Sequence, residues 1–244
     1  MPALPASWVI GGGSGIGEAS ARALARLGGH VVVSGRRERE LDRVVAEVRS
    51  AGGSATPLAL DVSDDRAVSG AVATIEAEHG PVATLVFSAG TNVQERFWDA
   101  VTPSAIDHVM DVNLHGAVRA VHAVLPGMRA AGGGRIVLIS SWAAWRHSPG
   151  AGAAYSMSKT ALGVLTESVN AQEHPNGVRA THLCPGEVAT DILDTRPNPP
   201  SAEARESMLR AADVGEAVGW IAALPERVCV NELVLTPTSN TSYA

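Results

Sequence analysis

Ser7-Trp8-Val9-Ile10-Gly11-Gly12-Gly13-Ser14-Gly15-Ile16-Gly17 runs from a short apolar strand through a glycine-rich turn into an amphipathic stretch, Ile16 to Leu27. Glycines let the backbone turn tightly and come close to a bound group, and the N–H groups that open the next helix favour an anion such as a pyrophosphate. The spacing is G-x-x-x-G-x-G, so the G-x-G-x-x-G dinucleotide fingerprint is not matched. Taken alone, the turn also reads as a flexible strand-to-helix connection.

The same alternation continues outward from this stretch. His30 to Ser34, Ala55 to Leu60, Ala83 to Phe87, Arg135 to Ile139, Val178 to Leu183 and Val228 to Leu235 are apolar runs that read as strands. Between them Glu38 to Arg49, Asp64 to Glu78, Pro103 to Met128 and Ala154 to Glu173 carry apolar residues three and four apart, the helical period. Strands of continuous valine, leucine and isoleucine separated by helices predict a seven-stranded parallel sheet covered on both faces, a single-domain Rossmann-like doubly wound α/β fold. Gly132 to Gly134 reads as a helix stop. Arg196 to Ser201 holds three prolines in six residues and reads as part of a mobile flap over the site.

Composition excludes several classes. Hydrophobic residues make up 45% of the 244 and charged residues 18%, enough for a sizeable core. The net charge is −6 and the arginines are scattered, so no basic stripe points to nucleic acid. Nothing approaches the roughly 20 apolar residues of a membrane span, and because the first strand candidate begins near Ser7 no cleavable leader is expected ahead of it. Cys184 and Cys229 offer neither a disulfide framework nor metal spacing, and the histidines, His182 among them, show no ligand spacing. A reducing cytoplasm and the absence of a metal are expected.

Lys159 is the only lysine in the chain, eighteen of the nineteen basic residues being arginine. It lies four residues past Tyr155, one of two tyrosines, so a helix sets phenol and ammonium on one face. Lysine is a compact point charge and arginine a broad planar fork, so the exception marks a site that needs the smaller cation. The pair outlines a proton-transfer device.

Together these residues resemble the short-chain dehydrogenase/reductase family, over nearly the whole chain. The landmarks are the Gly11 turn, Asp61-Val62, Ala89-Gly90, Asn113, Ser141, Tyr155-x-x-x-Lys159, Pro185-Gly186 and Thr190, in the family's order. The resemblance implies a dinucleotide-binding half over about 1–140, a catalytic and substrate half over about 141–244, and a variable substrate loop over about 190–211. It implies Tyr155 as acid/base, Ser141 holding the reacting oxygen, Lys159 favouring the phenolate, and Asn113 holding a water that leads to Lys159. Ser141 precedes Tyr155 by fourteen residues, one more than usual in the family, which keeps Ser140 as an alternative.

For the cofactor, the resemblance assigns contacts to Gly11, Gly13, Ser14, Gly15, Ile16 and Gly17 in the turn. Asp61 and Val62 would meet the adenine, Ala89 and Gly90 the cleft wall, and Pro185, Gly186, Val188 and Thr190 the nicotinamide side, with Tyr155 and Lys159. Family members that use NAD usually carry an acidic residue after the second strand. This chain has Gly35-Arg36-Arg37, and arginine's fork suits a 2′-phosphate, so NADP(H) is preferred and NAD(H) possible. Two departures stand out: Ile10 replaces the family's Thr, and Phe87-Ser88-Ala89-Gly90 its Asn-Asn-Ala-Gly, an exchange that looks compensatory.

Trp142, Trp145 and His147 follow Ser141 and are read as one wall of a substrate pocket. The expected activity is NADP(H)-dependent interconversion of a carbonyl and an alcohol, on a small-molecule substrate, in a homotetramer or homodimer. Reduction of a 3-oxoacyl thioester and a nucleotide sensor without turnover are the competing readings. The intact set Asn113, Ser141, Tyr155 and Lys159 speaks against a sensor, which needs no proton relay.

Overall fold

The computed structural model describes residues 6–240. Seven strands, β1 (Ala6–Ile10), β2 (His30–Gly35), β3 (Ser54–Ala59), β4 (Val82–Phe87), β5 (Gly134–Ile139), β6 (Val178–Pro185) and β7 (Glu232–Leu235), form one parallel sheet in the order β3-β2-β1-β4-β5-β6-β7. The chain builds outward from β1 to β3, then returns past β1 to β4 and continues the other way. The connections therefore diverge at the C-terminal ends of β1 and β4, where open α/β sheets form their ligand crevice.

The helices are α1 (Gly15–Ala25), α2 (Glu38–Ser50), α3 (Asp65–His79), α4 (Pro103–Met110), α5 (Gly116–Ala131), α6 (Trp142–Trp145), α7 (Ala153–Glu173), α8 (Ala202–Glu206) and α9 (Ala211–Ala223). Strand side chains alternate between two apolar layers. Trp8 and Ile10 pack with Val121, Val124 and Leu162, whereas Val9 and Val33 pack with Leu24, Val44 and Val218. Ile10 and Phe87 are register partners on β1 and β4 and are fully buried in the first layer. The phenyl ring needs Gly116, because a Cβ there would stand 3.3 Å from Phe87 Cζ and 2.9 Å from Val62 Cγ2.

Three sequence-level boundaries shift. The helix read as continuous from Pro103 to Met128 is broken by a π-helical turn, Asp111–His115, which carries Asn113. The last strand starts at Glu232 instead of Val228, because the chain first turns, with the Val228 N–H donating to the Pro225 carbonyl at 2.9 Å. Helix α9 was not anticipated at all: its Gly215 and Gly219 lower helix propensity, and they are there because α1 lies against them. A Cβ on Gly215 would stand 2.7 Å from the backbone of Ala19, and one on Gly219 3.3 Å from Ala23 Cβ. Gly132 ends α5 in the left-handed conformation (φ 75°), as the glycine run suggests. Among the described residues no helix is long and apolar enough to cross a membrane.

Candidate active site

Residues 11–17 fold back tightly after β1. The N–H groups of Gly11 and Gly12 both donate to the Ser34 carbonyl, at 2.8 and 3.0 Å. Gly11 has φ +80°, and a Cβ there would lie 2.5 Å from the Ala89 nitrogen, so only glycine fits between the turn and the segment after β4. Gly17 does a different job from the one expected of it. It lies behind the turn, where a Cβ would meet the Gly11 carbonyl at 2.1 Å, and it sets how closely α1 packs.

The turn borders a cleft of about 630 Å³ whose wall includes Gly11, Gly13, Ser14, Gly15 and Ile16. Asp61, Val62, Ala89, Gly90 and Thr190 complete it, with Tyr155 and Lys159 at its inner end. The Ser14 hydroxyl does not cap α1; it accepts from Arg37 Nη2 at 2.8 Å. Asp61 Oδ1 accepts from the Ser63 N–H and hydroxyl at 2.9 and 2.7 Å, and these bonds hold its carboxyl below the usual range. Arg36 lines the cleft and has no hydrogen bond or salt bridge among the described residues. Arg43, also on this wall, is neutralised by Glu18, Glu40 and Glu47. These features fit a dinucleotide: a backbone turn that excludes side chains, a helix N-terminus, and one uncommitted guanidinium at the β2 end.

At the inner end, α7 places Tyr155 and Lys159 one turn apart. Lys159 is 4% exposed, and its ammonium donates to the Ile139 carbonyl at 2.9 Å and sits 5.7 Å from the centre of the Tyr155 ring. Burial pulls its pKa down to about 8. The Tyr155 phenol is pushed up by burial, while the facing Ser141 hydroxyl and the charges of Arg196 and Arg96 work the other way. In the protein alone, then, burial outweighs the cations and the phenol keeps its proton.

The Ser140 and Ser141 alternatives separate cleanly. Ser140 is buried and its hydroxyl donates to the Lys159 carbonyl at 2.9 Å, whereas Ser141 opens α6 and turns its hydroxyl toward the phenol and the Ala143 N–H. Asn113 is fully buried. Its amide donates to the Thr91 carbonyl (2.9 Å) and the Ser158 hydroxyl (3.0 Å), and its oxygen accepts from the Thr91 N–H (2.7 Å). The side chain thus locks the loop after β4 onto α7 and makes no hydrogen bond to Lys159. Ser158, which also donates to the Tyr155 carbonyl at 2.8 Å, was not singled out in the sequence.

A second cavity of about 630 Å³ opens on the other side of the phenol and shares Ile16, Ser140, Tyr155, Thr190 and Ile192 with the first. Pro185, Gly186 and Val188 line this second space and not the first. Trp142 lines it. Trp145 and His147 do not: the Trp145 indole donates to Glu232 Oε2 at 3.1 Å, and His147 is exposed. Arg196, Pro197 and Asn198 of the proline-rich segment also line it. The base of that loop is fixed where the Ala189 N–H donates to the Leu209 carbonyl and the Leu209 N–H to the Glu187 carbonyl, at 2.8 and 2.9 Å. Arg96 and Asn92, on the loop after β4, also line it, and no spacing rule pointed to them.

Close to Lys159, His182, Cys184 and Glu232 bring donor atoms within 4.8 Å of one another. The group is bound up in hydrogen bonds, His182 Nδ1 with Glu232 Oε1 at 3.2 Å among them. Burial pushes the Cys184 thiol up to about 12.

Residues 6–200 match the family model for short chain dehydrogenase. Over 231 residues the chain is 37% identical to short-chain reductase protein NovJ of Streptomyces niveus, covering 95% of this chain and 87% of that protein. The alcohol dehydrogenase of the archaeon Thermococcus sibiricus, complexed with 5-hydroxy-NADP, superimposes with a TM-score of 0.86 at 28% identity over 97% of each chain. The closed form of serine dehydrogenase complexed with NADP+ does so at 0.88 and 27% identity, over 98% of this chain and 97% of that one.

Proposed function

Because the chain belongs to the short-chain dehydrogenase family and is an oxidoreductase, we propose that it interconverts a ketone or aldehyde with the corresponding alcohol, using NADP(H) in preference to NAD(H). The observation that carries this reading is the junction at Tyr155, which lines both cavities, with the Ser141 hydroxyl facing the phenol on the second and the Lys159 ammonium beside its ring on the first. When bound, the nicotinamide supplies or takes the hydride. The protein's own residues handle the proton and the charge.

In reduction, Ser141 donates to the substrate oxygen as negative charge grows on it, and Tyr155 delivers its phenolic proton to the same atom. Burial has raised the phenol's pKa, so that proton is in place across the neutral range. In oxidation the phenol must first lose its proton, and the cationic surroundings of Lys159, Arg96 and Arg196 make that reachable. With its pKa near 8, Lys159 can itself exchange a proton close to neutrality. Asn113 acts by holding the loop after β4 against α7 beside Lys159, its side chain being committed to Thr91 and Ser158.

Arg36 is the residue assigned to the 2′-phosphate, with Arg37 held beside it by Ser14. Arg36→Ala is expected to weaken NADPH binding roughly 10-fold or more, the worth of a charge-assisted hydrogen bond, and to leave NADH nearly unchanged. An unaltered preference, measured by fluorescence titration of both cofactors, removes Arg36 from the assignment. Lys159→Arg is expected to lower kcat about 10²-fold or more while NADPH affinity falls only a few-fold. Equal turnover in variant and parent would defeat the proton-transfer reading. A dimer or tetramer fits the exposed Val118 of α5 and Val164 of α7, and a reducing cytoplasm fits two free cysteines.

A further inference from the structure

Arg96 is 3% exposed, and among the described residues no carboxylate lies within ion-pair distance of it. Other arginines of the chain, such as Arg22, Arg119, Arg129 and Arg205, each have an acidic partner. Taking a cation out of water without a counter-ion is unfavourable, and backbone carbonyls offset only part of that. Yet the protein is built around this side chain. Arg96 Nε donates to the Val93 carbonyl at 2.9 Å and Nη2 to the Thr195 carbonyl at 2.5 Å, while Nη1 has no acceptor among the described residues. Gly152, at φ +78°, lies so close that a Cβ would stand 2.7 Å from Arg96 Cβ.

The guanidinium faces the second cavity, beside the reacting phenol. A second guanidinium, Arg196, lines the same space and repels it, and the single acid there, Glu187, is spent on Arg196 at 2.8 Å. One positive charge is left over next to Tyr155. Trp142, Phe97, Ile192 and Leu193 supply the apolar remainder of the lining.

We infer that the substrate carries a carboxylate close to the reacting carbon, received by Arg96 with Arg196 at its outer edge, so that the enzyme acts on a hydroxy acid and its oxo acid. The inference rests on the carbonyl–alcohol reading above and adds the substrate class to it. The balance is oxo acid, NADPH and one proton going to hydroxy acid and NADP+, with the carboxylate unchanged. Arginine is suited to this task because its planar fork matches a carboxylate and it stays charged when buried.

The test compares acetoacetate with methyl acetoacetate, and 2-oxobutyrate with its methyl ester, by NADPH oxidation. The parent is expected to favour at least one free acid over its ester by roughly 30-fold or more in kcat/KM, as befits a buried charge pair. Arg96→Gln, which removes the charge, should lose that preference: kcat/KM for the free acid is expected to fall roughly 30-fold more than for the ester, whatever common loss both suffer. Ester and acid reduced alike by the parent, or losses of equal size for both in the variant, overturn the inference. The parent's ratio decides the matter even if the variant fails to fold. Binding of unreactive butyrate, followed by tryptophan fluorescence with NADPH present, separates the two claims. Arg96-dependent butyrate binding without turnover of any carbonyl sinks the functional reading and keeps the anion site; ester reduction without butyrate binding does the reverse.

Discussion

A charged lysine at 4% exposure is a liability for folding, and its size can be set from its titration. Burial moves Lys159 from 10.5 to about 8, and each pKa unit is worth about 1.4 kcal/mol, so while charged it costs the fold on the order of 3 kcal/mol. Lys159→Met removes that cost and orphans the Ile139 carbonyl, a loss of about 1 kcal/mol or somewhat more. The variant is therefore expected to be inactive and more stable by about 1–2 kcal/mol at pH 7, a rise in Tm of several degrees for a chain of this size. A calorimetric Tm below the parent's would show that the ammonium holds the site together instead of straining it. The neighbouring serines divide in the same manner. Ser141→Ala should lower kcat about 10²–10³-fold with the fold intact, whereas Ser140→Ala, which strips the Lys159 carbonyl of a buried donor, should cost about 1–2 kcal/mol of stability.

At the scale of elements, the packing of α1 on α9 decides whether the glycine turn is presented correctly, because α1 begins inside that turn. Gly215 touches backbone of α1, which cannot yield, and Gly219 touches only the Ala23 side chain and nearby backbone at 3.3 Å and beyond. Gly215→Ala is expected to destabilise by about 1–3 kcal/mol through overpacking, despite the gain in helix propensity. Gly219→Ala should lie within about 1 kcal/mol of the parent, as propensity gain and mild crowding offset each other. Denaturant midpoints of the two variants that coincide would remove the distinction. These glycines also explain why α9 escaped the sequence: Val214, Val218 and Ile221 have helical spacing, but Gly215 and Gly219 read as breakers unless the partner helix is known. The π-helical turn at Asp111–His115 was hidden for a similar reason, since nothing local in Asp-Val-Asn-Leu-His departs from a helix. The strands were legible because a sheet buried on both faces writes itself as uninterrupted Val, Leu and Ile. Tyr155, Lys159 and the glycine turn were legible because their chemistry depends on spacing within one element. Arg96 was not, because its meaning comes from a burial and a missing partner that exist only once the loop after β4 meets the loop after β6.

For the whole molecule, the buried groups impose a pH profile whose sign can be worked out. His30 is lowered by burial and by the charge of His79, stacked on it at 3.8 Å, so the unfolded chain binds that proton first and stability falls as pH drops below about 6.5. Glu173, held at about 2 by Arg129, adds stability that is present above about 4.5 and is lost as pH falls toward 2. On the alkaline side the first group is Lys159, for which the unfolded chain keeps the proton between about 8 and 10.5, so stability rises with pH from 8 upward. From 9.0 the thiols oppose this: Cys184 is held protonated up to about 12 and Cys229 is also raised, so the unfolded chain now loses protons that the folded one keeps. Tyr155, raised above 10.0, adds the same sign. Thermal scans should therefore give a Tm that climbs from pH 8 to about 9 and declines beyond about 10, an optimum more alkaline than the usual range of roughly 5–8. Lys159→Met should abolish the climb and Cys184→Ser should soften the decline, because each removes one side of the balance. A parent Tm that falls steadily from pH 8 to 9 would mean that the ammonium is solvated, and with it would go the low-pKa lysine on which the proton exchange beside Tyr155 depends.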